Sequence, residues 1–208
     1  MISAKQSVDL AAAIYDPIDT SKFDRIVKVA GITCGIKTIG KTMVFSFAGS
    51  ENLIDFVRDA FVVPEYHQHL GTVAKGFLIG VDAIYESLLS YFYTAKYIAI
   101  TGHSLGCSHG IIIAGMCIDA GIKIQSLDLF APPKTSDYYL LSIITKQIPR
   151  VRAFRNGIDP VPEIPLGNIW GQYPLIHLNE SPDEPWQLDP VQWHKIGLYA
   201  RGVEKLYD

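Results

Sequence analysis

The stretch Tyr97-Ile98-Ala99-Ile100-Thr101-Gly102-His103-Ser104-Leu105-Gly106-Cys107 decides the fold. Tyr97 to Ile100 is a short apolar run that reads as a strand. Residues 105–120 read as a long helix closed by Gly121 as its C-terminal cap. Between them stands G-x-S-x-G, a pattern of moderate specificity taken alone. A strand entering it and a helix leaving it at once give it meaning: a sharp, strained turn that lifts the Ser104 hydroxyl above the sheet. Side chains two positions either side of Ser104 would collide with each other or with neighbouring elements, so Gly102 and Gly106 carry none. The helix start then aims its free N–H groups and partial positive charge at the reacting centre.

Working outward, strands alternate with helices. Helices are expected over residues 3–15, 52–63, 77–91, 136–147 and 194–206. Strands are expected over residues 25–34, 42–47, 122–130 and 151–155, the first two as a hairpin separated by Gly35 and Gly40. Residues 156–193 read as a loop-rich region. This alternation predicts an α/β layer structure on a largely parallel sheet, formed as one domain over residues 1–208.

A serine hydroxyl needs a base, and the base an orienting acid. In a strand–turn–helix setting the partners follow in the order Ser, acid, His. His109 lies on the same helix as Ser104 and cannot reach it. His177 sits in a short strand-like run, whereas His194 lies where a loop opens the last helix, which favours it. Asp128, Asp137, Asp159, Asp183 and Asp189 are the candidate acids. Asp159, in a loop stiffened by Pro160 and Pro162, leads, with Asp128 its main rival.

Composition excludes several other classes. The 208 residues are 49% hydrophobic and 19% charged with a net charge of -3, enough for one core and no basic footprint for nucleic acid. Asp9 interrupts the apolar N-terminal stretch, so no secretory signal is read and a cytoplasmic location is expected. No apolar run approaches a membrane span. Cys107 and Cys117 share one helix too far apart to pair, and three reduced, buried thiols are expected. His67-Gln68-His69 lacks further ligands for a metal, and no glycine-rich phosphate loop is present. Neither cofactor nor metal is expected.

These residues, taken together, resemble the class 3 (fungal-type) triacylglycerol lipase family of the α/β-hydrolase superfamily. The likeness rests on Val44 to Ser50, on Gly76-Phe77, on Thr101-Gly102-His103-Ser104-Leu105-Gly106, on Phe130-Ala131-Pro132-Pro133, on Asn156-Gly157-Ile158-Asp159-Pro160-Val161-Pro162, and on His194 ahead of a helix bearing Tyr199. Ala48, Cys107 and Ala131 depart from the family pattern without removing a catalytic atom. The resemblance implies an α/β-hydrolase fold and a Ser104–Asp159–His194 triad. It implies an oxyanion hole from Ser50 and Leu105, and a lid whose Leu53, Ile54, Phe56 and Val57 meet acyl chains. The expected substrate is an acylglycerol or related lipid ester, met at a lipid interface. A non-catalytic module on the same fold, or an acyltransferase using the same triad, is the alternative.

Overall fold

In the computed structural model, residues 2–15, 20–50, 63–183 and 189–208 are described. Ser3 begins the first helix with a capping box: its hydroxyl accepts from the Gln6 N–H at 3.1 Å and the Gln6 side chain accepts from the Ser3 N–H at 2.9 Å. Helix α1 (Ala4–Ala13) then lays Ala4, Val8 and Ala11 against the sheet.

The sheet has seven strands: β1 (Arg25–Val29), β2 (Ile32–Ile39), β3 (Thr42–Phe47), β6 (Tyr97–His103), β7 (Ser126–Phe130), β8 (Arg150–Asn156) and β9 (Leu175–Leu178), in that spatial order. β1, β2 and β3 form an antiparallel meander, and every pairing from β3 to β9 is parallel. A separate hairpin pairs β4 (Pro64–His67) with β5 (Gly71–Ala74). Helix α2 (Lys75–Leu78) and α3 (Val81–Thr94) precede β6, and α4 (Leu105–Asp119) follows it. α5 (Tyr138–Gln147) leads into β8, and α6 (Ile196–Tyr207) ends the chain. α4 is buried on nearly every side, as its unbroken apolar run requires. Ile100, Ile111, Leu127 and Phe47 join one core cluster around it.

Several elements differ from the sequence expectation. The strand expected over residues 25–34 is two strands, because Ala30 (φ 49) and Gly31 (φ 83) make the left-handed pair of a tight hairpin turn. Gly35, expected to break the chain, lies inside β2; a Cβ there would stand 2.5 Å from the Phe23 ring. The helix expected over residues 77–91 is interrupted by Gly80 at φ 79. β4–β5 was not expected, and β9 forms within the loop-rich region, on the strand-like run read around His177. The helix expected over residues 52–63 falls almost wholly outside the described residues. Among the described residues, no helix is long and apolar enough to cross a membrane. All three cysteines are buried and free.

Candidate active site

β6 ends at His103 and α4 begins at Leu105, leaving Ser104 alone at the turn with φ 61 and ψ -130. That strained conformation is held by a Ser104 N–H bond to the Phe130 carbonyl at 2.9 Å, and the Ser104 carbonyl accepts from Cys107 at 2.9 Å. The flanking glycines are there for space. A Cβ on Gly102 would stand 2.5 Å from the Gly106 carbonyl oxygen, and one on Gly106 would stand 2.1 Å from that of Phe47. Cys107 fills the underside of the turn, its thiol donating to the carbonyls of Gly102 and Phe130 at 3.1 and 3.2 Å. Burial pushes that thiol well above its ordinary range.

The structure brings three of the candidate side chains into one line. His194 Nε2 lies 2.8 Å from Ser104 Oγ, and His194 Nδ1 lies 2.8 Å from Asp159 Oδ2. His194 is the last residue of a 3₁₀ turn, Pro190–His194, just ahead of α6. Asp159 is fully buried in the loop after β8. Its Oδ1 accepts from the Val161 N–H at 2.9 Å, and its Oδ2 also accepts from the Tyr199 hydroxyl at 2.5 Å. Burial first, and then the Asp159 charge, drive the Tyr199 hydroxyl well above its ordinary pKa, so it stays a donor. Asn156 ties the surrounding loops: its side chain bonds both backbone groups of Glu180 at 2.9 Å and its N–H donates to Tyr199 at 3.1 Å.

The rival residues are placed elsewhere. Asp128 is buried in mid-strand, where Arg152 grips it at 2.7 and 2.9 Å and the Ser7 hydroxyl donates to it at 2.5 Å. Asp137 caps α5, Asp189 caps the 3₁₀ turn before His194, and Asp183 pairs with Arg201 at 3.4 Å. His177 is exposed on β9, and His109 is buried within α4. His69 pairs with Asp119 at 2.9 Å. Among the described residues, no group of three or more His, Cys, Asp or Glu side chains is arranged to hold a metal ion. The proposed lid residues Leu53, Ile54, Phe56 and Val57 lie outside the described residues.

Leu105 directly follows the serine, and Ser50 directly follows Gly49. Leu105 opens α4, whose first N–H groups have no acceptor within the helix. Gly49, directly before Ser50, passes so close that a Cβ on it would lie 3.0 Å from Ser104 Cβ. Two residues that sequence reasoning missed stand behind this constellation. The His103 ring sits 4.6 Å from that of His194, and Tyr15 meets it edge-on. His103 was read only as part of the motif Thr101 to Gly106 and given no role of its own, and Tyr15 is remote in sequence from the rest of the site.

Residues 44–169 match the sequence model of the family Lipase (class 3). The chain belongs to this family. Compared with curated proteins by sequence, it has no match. Among solved structures it is similar to the triacylglyceride lipase of Rhizomucor miehei, with a TM-score of 0.67 and 20% identity over 85% of this chain and 77% of that one. It is also similar to a variant of MDLA from Penicillium cyclopium (TM-score 0.68, 20% identity, 86% and 80% covered). The mono- and diacylglycerol lipase of Aspergillus oryzae is similar too (TM-score 0.65, 20% identity, 86% and 80% covered). This class 3 lipase-family chain has the α/β-hydrolase fold and is a serine ester hydrolase.

Proposed function

We propose that this chain hydrolyses lipid carboxylic esters through an acyl-enzyme on Ser104, with His194 as general base and Asp159 as its orienting acid. The observation that carries the reading is the continuous hydrogen-bonded line from Asp159 through His194 to Ser104, at 2.8 Å on each side of the imidazole. In the first half-reaction His194 Nε2 takes the Ser104 proton as Oγ bonds to the ester carbonyl carbon. The tetrahedral oxyanion lies against the backbone N–H groups of Leu105 and Ser50. Collapse breaks the ester C–O bond, and the proton on His194 passes to the leaving alkoxide. Water then repeats the sequence against the acyl-enzyme, releasing the acid and restoring Ser104. Positioned proton transfer typically contributes ~10²–10⁴ in rate, and each oxyanion donor ~10²–10³.

The lipid part of the reading is supported by apolar side chains on the loop that carries Asp159. Ile158 is 58% exposed, Leu166 79% and Ile169 50%. All three follow β8 in sequence, and Ile158 directly precedes Asp159. Such exposed apolar side chains suit an acyl chain or the surface of a lipid aggregate.

The test is a panel of p-nitrophenyl esters from acetate to palmitate, with and without a detergent interface, on the wild type and Ser104→Ala. The wild type is expected to prefer the longer chains and to label stoichiometrically with a fluorophosphonate. Ser104→Ala is expected to lose both activities. Hydrolysis by the variant within tenfold of wild type removes Ser104 from the mechanism. Acyl transfer to an added alcohol in place of release of acid would reassign the reaction to an acyltransferase.

A further inference from the structure

We propose that Tyr15 and His103 are positioning residues for this chemistry, forming a hydrogen-bonded strap that holds the Gly49–Ser50 backbone in register with the segment bearing His194. The inference rests on the catalytic reading above and adds the means by which two separate loops are kept at one distance from Ser104.

The strap has one consistent proton assignment. His103 Nε2 lies 2.9 Å from the His194 carbonyl oxygen, which only accepts, so that nitrogen carries the hydrogen. The ring is buried, and burial, then the neighbouring His194, hold its pKa well below the ordinary range, so it carries a single proton. His103 Nδ1 is therefore an acceptor, and the Tyr15 hydroxyl 2.9 Å away donates to it. The hydroxyl oxygen in turn accepts from the Gly49 N–H at 3.0 Å. The opposite tautomer would set an Nε2 lone pair against the His194 carbonyl. It would also set the His103 Nδ1 hydrogen against the Tyr15 hydroxyl, which already accepts from the Gly49 N–H.

Sterics make the strap tight. A Cβ on Gly49 would lie 2.2 Å from the Tyr15 hydroxyl and 2.6 Å from the His103 carbonyl oxygen. The backbone leading into Ser50 is thus pressed between Tyr15 and the nucleophile turn. Tyr15 in turn follows a helix anchored at several points. Ser7 donates to Asp128 at 2.5 Å, Ser46 to the Leu10 carbonyl at 3.1 Å, and Thr101 to the Ser7 carbonyl at 3.3 Å. α1 therefore transmits the rigidity of β3, β6 and β7 to the oxyanion side of the site. Because His103 stays neutral beside His194, it adds no opposing charge when His194 becomes an imidazolium.

The experiment uses the full chain and Tyr15→Phe, with kcat expressed per fluorophosphonate-titrated site so that unfolded molecules do not count. The expected result is a fall in kcat of roughly 10–100-fold, short of the ~10²–10³ for deleting an oxyanion donor outright, with KM within about twofold. A reversible boronic acid, which forms the tetrahedral adduct, should weaken in parallel with kcat. A folded Tyr15→Phe retaining kcat within about twofold overturns the proposal. The ¹⁵N shifts of the His103 ring in the wild type give a second measurement that needs no variant. An unprotonated Nδ1 with a protonated Nε2 supports the strap, and the reverse tautomer overturns it. If the wild type neither hydrolyses esters nor labels at Ser104, the catalytic reading falls. If it does both and Tyr15→Phe is unaffected, the strap alone falls.

Discussion

Acid should destabilise this protein through the buried His109. His109 is 5% exposed on the first half of α4, and its Nδ1 has no hydrogen-bond partner among the described residues. Burial lowers its pKa from 6.5 to about 4. The unfolded chain then binds the proton more readily than the folded one. Stability from this group is therefore complete above about pH 6.5 and is lost as pH falls towards about 4. At ~1.36 kcal/mol per pH unit the full loss is roughly 3 kcal/mol, of which about 2 kcal/mol has gone by about pH 5. His103, also held low by burial, acts in the same direction, so the wild-type slope alone does not isolate His109. His109→Leu does, because it fills a similar volume with no titrating group. Urea unfolding of both proteins at about pH 7.5 and about pH 5 should show the variant gaining ~2 kcal/mol on the wild type in acid, roughly 1 M in midpoint. A gain under about 0.5 kcal/mol would mean that His109 reaches solvent or a partner when protonated, and the reasoning would fail.

Two further substitutions separate catalysis from stability. Asp159→Asn should leave the fold in place but lower kcat by ~10⁴, since the amide favours the wrong His194 tautomer; ester hydrolysis within tenfold of wild type would contradict the assignment. Arg152→Met removes the bidentate partner of fully buried Asp128, leaving Arg150 at 3.4 Å and the Ser7 hydroxyl. It should cost about 3 kcal/mol in urea unfolding while kcat per titrated site stays unchanged; a loss of kcat with no loss of stability would reverse the roles given to Asp128 and Asp159.

The nucleophile turn was legible because its constraints are local. Two glycines, a strand and a helix fall within a short run, and sterics alone demand them. The edge meander was less legible because Ala30-Gly31 lacks the Asn or Asp that usually marks such a turn. Gly80 split a helix whose apolar spacing runs through it unbroken, Phe77 and Val81 both being buried. β4 hid because Pro64 reads as a terminator, although a proline is tolerated at the first residue of a strand. The Tyr15–His103 strap was invisible for a different reason. Its partners meet only after α1 is packed on the sheet, and the hydrogen bond that defines it spans 88 residues.

The choice between the two aspartates shows what sheet register adds to sequence. Asp128 pairs with Thr101, three residues before Ser104, so it sits ~10 Å down the strand from the nucleophile. Its neighbour in register on β8 is Arg152, and Arg150 lies two residues away on the same face, so its charge is answered inside the sheet. Asp159 instead lies beyond the end of β8, two strand spacings from β6, roughly 9–10 Å across the sheet. An imidazole bonded at 2.8 Å on both sides spans most of that width, and the lean of the serine and aspartate side chains covers the rest. β7 ends between them at Phe130, whose carbonyl holds the Ser104 N–H and so leaves the space above it for the ring. Within the loop after β8, Asp159 is the fully buried carboxylate, whereas Glu163 pairs with Lys134 and Arg155.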